Sequence, residues 1–549
     1  MDEKNNVLNE QSNCEEQNKT PELLLPQMYA PKPLFNLTRR DTIFAVCSIV
    51  LCIFTSIFGI FGGFSFGYLL SLVFTILLLA MYFAKGGKVQ FLPIICGALA
   101  LGNSAVFICT TNGSVRFFAV IISFLLSLVC FDGIVNGSQE GNRQSLGVFY
   151  SAASTIGNIG VSLKSLISNS NGDKKTIGKA LVGIICAIPV LFVVIPLLIS
   201  SDDAFRGMMN NIFSNTFTTI LKAIFGILLS IFVVSYIFSL KTGRVLKTKE
   251  SKFLGIENTY VVSFLSVIAV CYLMYLFSQL AYFFSAFKGF LPDGEVTYAE
   301  YARKGFFEMC IIAVINLVIV FLSLLLAKKQ NGKVCHGIKA IATFISVFTI
   351  IIIATAVSKM MLYIKAYGMT VLRVTTSAFM LFLAIVFLAV ILKIYINKIN
   401  IVKTALITAG CIVIVLGTVN VNAVCARYNY KAYKTNKLDT IDVEALYQLG
   451  DEGIPYVVRL ACCKDKYIAQ EAQNYLVEAY MQDYFDDMTN AKGFSDKSLS
   501  KHQKYTSFSY FNIPRKNAYD ILYKFIKDNP DFDTYCISHY DDGGDFDIW

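Results

Sequence analysis

"GEVTYAEYARKGFFEMCIIAVINLVIVFLSLLL", Gly294 to Leu326, opens with tyrosines and charges and turns to almost pure hydrocarbon from Phe306 onward. The apolar part runs for roughly 20 residues, the length a helix needs to cross bilayer hydrocarbon. It shows no two-residue alternation, which argues against a barrel strand. Lipid offers no hydrogen-bond partners, so a spanning segment of this kind closes its own backbone bonds as a helix.

Ten further runs share this pattern, so the chain is expected to cross eleven times, at 42–62, 64–84, 91–109, 117–134, 177–199, 217–238, 260–284, 306–327, 338–357, 375–392 and 401–419. With 55% hydrophobic and 16% charged residues over 549 positions, a soluble surface is excluded. The expected fold is all-α, a polytopic transmembrane helical bundle of about 11 spans with a small extracytoplasmic helical C-terminal domain. Its layout is a disordered cytoplasmic tail at 1–40, spans one to four at 41–134, a cytoplasmic loop with an amphipathic helix at 135–176, and spans five to eleven at 177–421. The helical domain at 422–527 and an acidic tail at 528–549 complete it. A polar stretch precedes the first apolar run, so no cleavable signal peptide is expected.

Arg39 and Arg40 stand before the first span, which places the N-terminus in the cytoplasm by the positive-inside rule. Alternation then puts 18 Lys and Arg in cytoplasmic loops and 8 in outer ones. An odd number of spans leaves the segment after Val419 outside. From Asn422 that segment holds 15 Lys and Arg against 20 Asp and Glu, so the net charge of +10 belongs to the membrane part and N-terminal tail and does not indicate nucleic acid. The expected location is the plasma membrane, with the lipid bilayer as a constant partner.

Of the fifteen cysteines most fall in apolar runs, where they act as small hydrophobes. No C-x-x-C pair occurs, and His336, His502 and His539 have no neighbour at ligand spacing, so no metal or other cofactor is expected. Outside the cell, Cys425 or Cys536 could bridge to Cys462 or Cys463. Phosphate-cradling and nucleophile-elbow motifs are missing, which argues against an enzyme of a familiar soluble class. Span centres are nearly free of charge. Glu308, Lys222, Asp132 and Lys179 sit near span ends, where snorkelling to the interface accounts for them.

The informative residues gather at three outer collars. The first is "SSDDAFRGMMNNIFSN" with Asp202 and Asp203. The second is the opening stretch with Tyr298, Tyr301, Arg303, Lys304 and Glu308. The third is "SKMMLYIKAYGMTVLRVTTSAFM" with Tyr363, Lys365, Tyr367 and Arg373. Thr297, Tyr301, Lys304 and Glu308 share one helical face. An interfacial belt of aromatic and basic residues is the plain reading. Glu308 lies deeper than a belt residue and needs a partner, with Lys304, Lys222 and Arg373 the candidates, so a charged binding cluster between helices is the sharper one. "YAEYARKGFFEM", "YIKAYGMTVLRV" and "SSDDAF" resemble motifs of the bacterial multi-pass family named domain of unknown function 4173, over about residues 198–392. That resemblance implies an uncharacterised integral membrane protein of the bacterial cell membrane and no site residues.

In the cytoplasmic loop, "SLGVFYSAASTIGNIGVSLKSLI" reads as an amphipathic helix on the inner surface. After the last span, "DTIDVEALYQLGDEGIPYVVRLACC", "YIAQEAQNYLVEAYMQDYF" and "IPRKNAYDILYKFIKD" read as three amphipathic helices, with Asp439, Thr440 or Asp442 as the first N-cap. Two functions fit these features. One is a non-enzymatic envelope sensor or assembly component that binds a protein or polymer partner at its outer face. The other is a transporter or flippase for a lipid-like or amphiphilic substrate.

Overall fold

The computed structural model describes residues 38–62, 66–83, 91–136, 155–162, 164–165, 194, 215–242, 256–288, 306–328, 334–396, 399–438, 440–485 and 511–529. Ten helices among them are long and apolar enough to cross a membrane. These are α1 (Arg39–Phe54, prolonged by a π-helical turn Thr55–Ile60), α2 (Phe66–Phe83), α3 (Phe91–Cys109), α4 (Gly113–Asn136), α5 (Asn215–Lys241), α6 (Asn258–Lys288), α7 (Phe306–Leu326), α8 (His336–Tyr367), α9 (Val371–Tyr395) and α10 (Ile401–Val419). Each coincides with an expected span. The eleventh, 177–199, lies outside the described residues.

α10 joins two groups of helices. On one side it packs against α3 and α4, and beyond them stand α2, α1 and α5; on the other it packs against α9, which leads to α8, α7 and α6. At Gly417 an added Cβ would lie 2.3 Å from the Val106 side chain, so only glycine lets α10 approach α3 this closely. The bundle has two ends. The ends of α1, α2 and α5 meet at Asp41, and the opposite end carries the helices that come after α10.

Several helix ends differ from expectation. α4 begins at Gly113, before the apolar run, because Asn112 accepts from the Val115 amide at 2.9 Å and caps it. α8 extends to Tyr367, well past the apolar run. Residues 155–162 are helical, as expected of the loop, but they pack on α5. The Asn158 amide donates to Ser239 at 3.2 Å and the Ser162 hydroxyl lies 3.1 Å from that of Ser235. Asp132 is buried rather than snorkelled.

Past α10 the chain turns at Asn420, whose φ of 58° is one that asparagine tolerates. It continues as α11 (Val421–Lys434), a helix that the hydropathy pattern does not announce. The first expected tail helix is split into α12 (Val443–Tyr447), a 3-10 turn (Gly450–Glu452) and α13 (Ile454–Ala461), because Gly450 takes a φ of 70° that ends the helical path. α14 (Lys466–Phe485) and α15 (Ile513–Asp528) complete the tail. Asp442 is the N-cap of α12, accepting from Ala445 at 2.8 Å. Val443, Leu446, Val457, Leu460, Ala472, Leu476 and Phe525 form one buried core, each large side chain contributing about 1.5–3 kcal/mol.

Candidate functional site

The tail helices are fastened to the bundle by a buried carboxylate. Glu452, 5% exposed, ends the 3-10 turn and enters the gap between the α3–α4 turn and the α10–α11 bend. It accepts from the Thr111 amide at 2.8 Å, from the Thr111 and Thr110 hydroxyls, from Asn420 Nδ2 at 3.1 Å and from Asn422 Nδ2 at 3.4 Å. Arg116 and Arg515 stand within electrostatic reach of each other, and Glu452 and Asp451 act on Arg116 with the opposite sign. Around this centre Asn112 Nδ2 donates to Asn422 Oδ1 at 2.6 Å and Asn420 Nδ2 to the Cys109 carbonyl at 2.9 Å. Asn512, the N-cap of α15, donates to the Phe107 and Thr110 carbonyls at 2.9 and 3.1 Å. The free carbonyls at the end of α3 thus find partners in the tail.

A second clamp holds the α8–α9 turn. Gly368 has a φ of 78°, and the Asn429 amide of α11 pairs with Met369 both ways, accepting from its N–H and donating to its carbonyl, each at 2.8 Å. Arg373 lies over the Tyr363 ring at 4.1 Å and donates to the Tyr367 carbonyl at 3.1 Å and to that of Gly368. Tyr363 and Tyr367 are neighbours, their ring centroids 5.3 Å apart. The third collar is therefore a folded unit, with Lys365 and Tyr367 exposed at its surface. Asp202, Asp203, Tyr298, Tyr301, Arg303 and Lys304 lie outside the described residues. Glu308 is exposed and interacts with Lys359, a partner that is not among the three expected from the sequence.

At the other end Asp41, 1% exposed, accepts from the Thr38 amide and hydroxyl at 2.7 Å, from the Tyr82 hydroxyl and from the Lys241 ammonium. Lys241 also lies 5.5 Å from the Tyr82 ring centre. This cluster joins α1, α2 and α5. The centres of the spans hold amides: Asn316 bridges the Tyr272 hydroxyl and Thr349, and Asn103 donates to the Gly410 carbonyl at 3.3 Å.

Two cavities flank the carboxylate lock. One, of about 480 Å³, is an apolar crevice between α4 and α9 with α10 as its floor, lined by Phe118, Ile122, Leu372, Phe379 and Val413. The Thr375 and Thr376 hydroxyls on its wall turn back to carbonyls of their own helix at 2.9 and 2.7 Å, leaving methyl groups to face the space. The other, of about 440 Å³, lies within the tail between α12, the 3-10 turn and α15, and mixes polar and apolar groups. Among the described residues no three His, Cys, Asp or Glu side chains converge as a metal site. Cys425, Cys462 and Cys463 are free thiols, so Cys425 bridges to neither, and Cys536 lies outside the described residues. Burial pushes the Cys425 thiol up to about 11.

A family model, domain of unknown function DUF4153, matches residues 72–460. The chain belongs to the DUF4153 family. This corrects the number suggested by the collar motifs and keeps the reading of a membrane family without assigned activity. The matched DUF4153 region runs from within α2 to the end of α13, so it contains Glu452 and its partners on α3–α4 and α10–α11. Asp41, Asn512 and Arg515 fall outside it. No curated protein and no solved structure matches the chain.

Proposed function

We propose that this multi-pass membrane protein is a non-enzymatic envelope component that binds a protein or polymer partner through α11–α15, on the side of the membrane away from the cytoplasm. One observation carries the reading. The tail helices are held at a fixed position on the bundle at two separate span connections, the α3–α4 turn by Glu452 and Asn512 and the α8–α9 turn by Asn429. A recruiting tether needs no such mount, whereas a platform that presents a surface does. The orientation rests on charge: Arg39, Arg40, Lys241, Lys339 and Lys403 cluster at the Asp41 end, the expected cytoplasmic face. Photo-crosslinkers at Tyr467, 78% exposed on α14, and at Tyr395, 64% exposed at the Asp41 end, test the reading in cells. A reproducible adduct from Tyr467 alone supports it; the same adducts from both positions overturn it.

A second reading, transport of a lipid-like substrate, is favoured by the crevice. Leu372 to Phe382 spans about 15 Å along α9, close to half of the roughly 30 Å hydrocarbon thickness. Accelerated flux of labelled lipid in liposomes, abolished by the crevice-filling Ala409→Trp, would replace the first reading with this one.

A further inference from the structure

The cavity within the tail combines two tyrosines with a set of planar polar groups whose charges cancel. Tyr447 and Tyr519 contribute aromatic surface, Ile454 and Leu522 the apolar floor, and Asp451 and Arg515 a salt bridge at 3.2 Å that is partly open to solvent. Gln448 adds an amide, its Nε2 donating to Glu444 at 2.9 Å. At about 440 Å³ the space lies in the range of pockets that enclose a small ligand. An anionic ligand would have to compete with Asp451 for Arg515, and a cationic one with Arg515 for Asp451, so the pair disfavours either net charge. A ligand that offers donors and acceptors without charge disturbs the pair least. Tyrosine rings give a flat apolar face at low entropic cost together with a hydroxyl handle, which matches a molecule with one C–H face and an equatorial ring of hydroxyls. A long apolar ligand would leave the salt bridge and amide desolvated without compensation.

We propose that this cavity is a binding site for a neutral sugar unit, free or within a polymer. This rests on the reading of α11–α15 as a binding surface and names the class of partner. The lock gives the site a consequence: Asp451 on the cavity wall directly precedes Glu452, and Arg515 lies one turn from Asn512. Two of the elements that enclose the ligand, the 3-10 turn and α15, are therefore also the two that grip the α3–α4 turn.

The full chain in lipid nanodiscs, titrated with neutral malto-, cello- and N-acetylglucosamine oligosaccharides and with uronic-acid oligomers of the same length, provides the test. The expected result is saturable binding of a neutral series, little changed between 50 mM and 500 mM salt, and weakened at least tenfold by Tyr519→Ala. Ala479→Trp, which fills the cavity from α14, is expected to abolish binding while the thermal transition is kept. Binding of the acidic series alone, binding unaffected by Ala479→Trp, or no binding of any neutral series at millimolar concentration overturns the proposal. If a Tyr467 crosslink to a protein persists in that last case, the platform reading stands and only the ligand class fails.

Discussion

Glu452 illustrates how one side chain can fix the relation between two parts of a chain. Its carboxylate replaces water with donors from Thr110, Thr111, Asn420 and Asn422, and each of those donors is oriented by its own place at a helix end. Truncation by Glu452→Ala leaves these groups buried without an acceptor, so a loss of about 3 kcal/mol is expected. Glu452→Gln keeps the shape, retains one acceptor and turns an NH2 group toward donors, with an expected cost of about 1–2 kcal/mol. Thermal unfolding of both variants in detergent, with limited proteolysis of the tail as a second probe, checks the order. Equal transitions for Ala and Gln would show that shape, not acceptance, matters there. None of this was legible in "LGDEGIPY", which reads as part of one amphipathic helix, because Glu452's partners come from positions 110–111 and 420–422. The Asp41 cluster did leave a local trace. Thr38 and Asp41 stand at capping-box spacing, and the side chain of each serves the other's backbone. That pattern marks a helix start, but it cannot disclose Lys241, 200 residues away.

Among the elements, the spans were the most legible, since hydrocarbon imposes a length and an apolarity that ten helices obey. Their ends were not, because caps such as Asn112 and extensions such as that of α8 depend on polar residues outside the apolar run. α11 escaped for a related reason: Asn420 interrupts the apolar run, and asparagines, tyrosines and lysines dominate the residues after it. The α8–α9 turn is a junction where element geometry can be tested. Gly368→Ala places a Cβ at a φ of 78° and 2.7 Å from Asn429 Oδ1. The expected cost is about 1–3 kcal/mol, visible as faster hydrogen exchange around Met369. α14 yields a prediction about pH. Burial, aided by the charges of Asp442 and Glu444, raises the Glu471 carboxyl above its ordinary value of 4.5. A raised folded-state value means that protonation favours the fold, so this contribution is complete below 4.5 and fades as pH rises past the folded value. Glu471→Gln should therefore raise the unfolding temperature at pH 7 and make no difference at pH 4. A variant that destabilises at pH 7 contradicts this sign.

For the whole molecule the decisive quantity is which end faces outward, and cysteine accessibility can settle it without knowledge of the ligand. Cys335 is exposed just before α8, at the Asp41 end, whereas Cys462 is exposed after α13, in the tail. Cys425 is buried, and with its thiol pushed up to about 11 it holds almost no thiolate at neutral pH. These three positions form a matched set in one chain: two reactive sites at opposite ends and one inert control. Single-cysteine chains carrying each in turn should behave differently toward a membrane-impermeant maleimide. Cys462 should label in intact cells, Cys335 only after permeabilisation, and Cys425 only after denaturation. The reverse order for Cys335 and Cys462 would turn the molecule over, place α11–α15 in the cytoplasm and remove the platform's access to any envelope polymer. Labelling of Cys425 in the folded protein would bear on the mount instead, because its neighbours Asn422 and Asn429 are the ones that hold α11 to the spans.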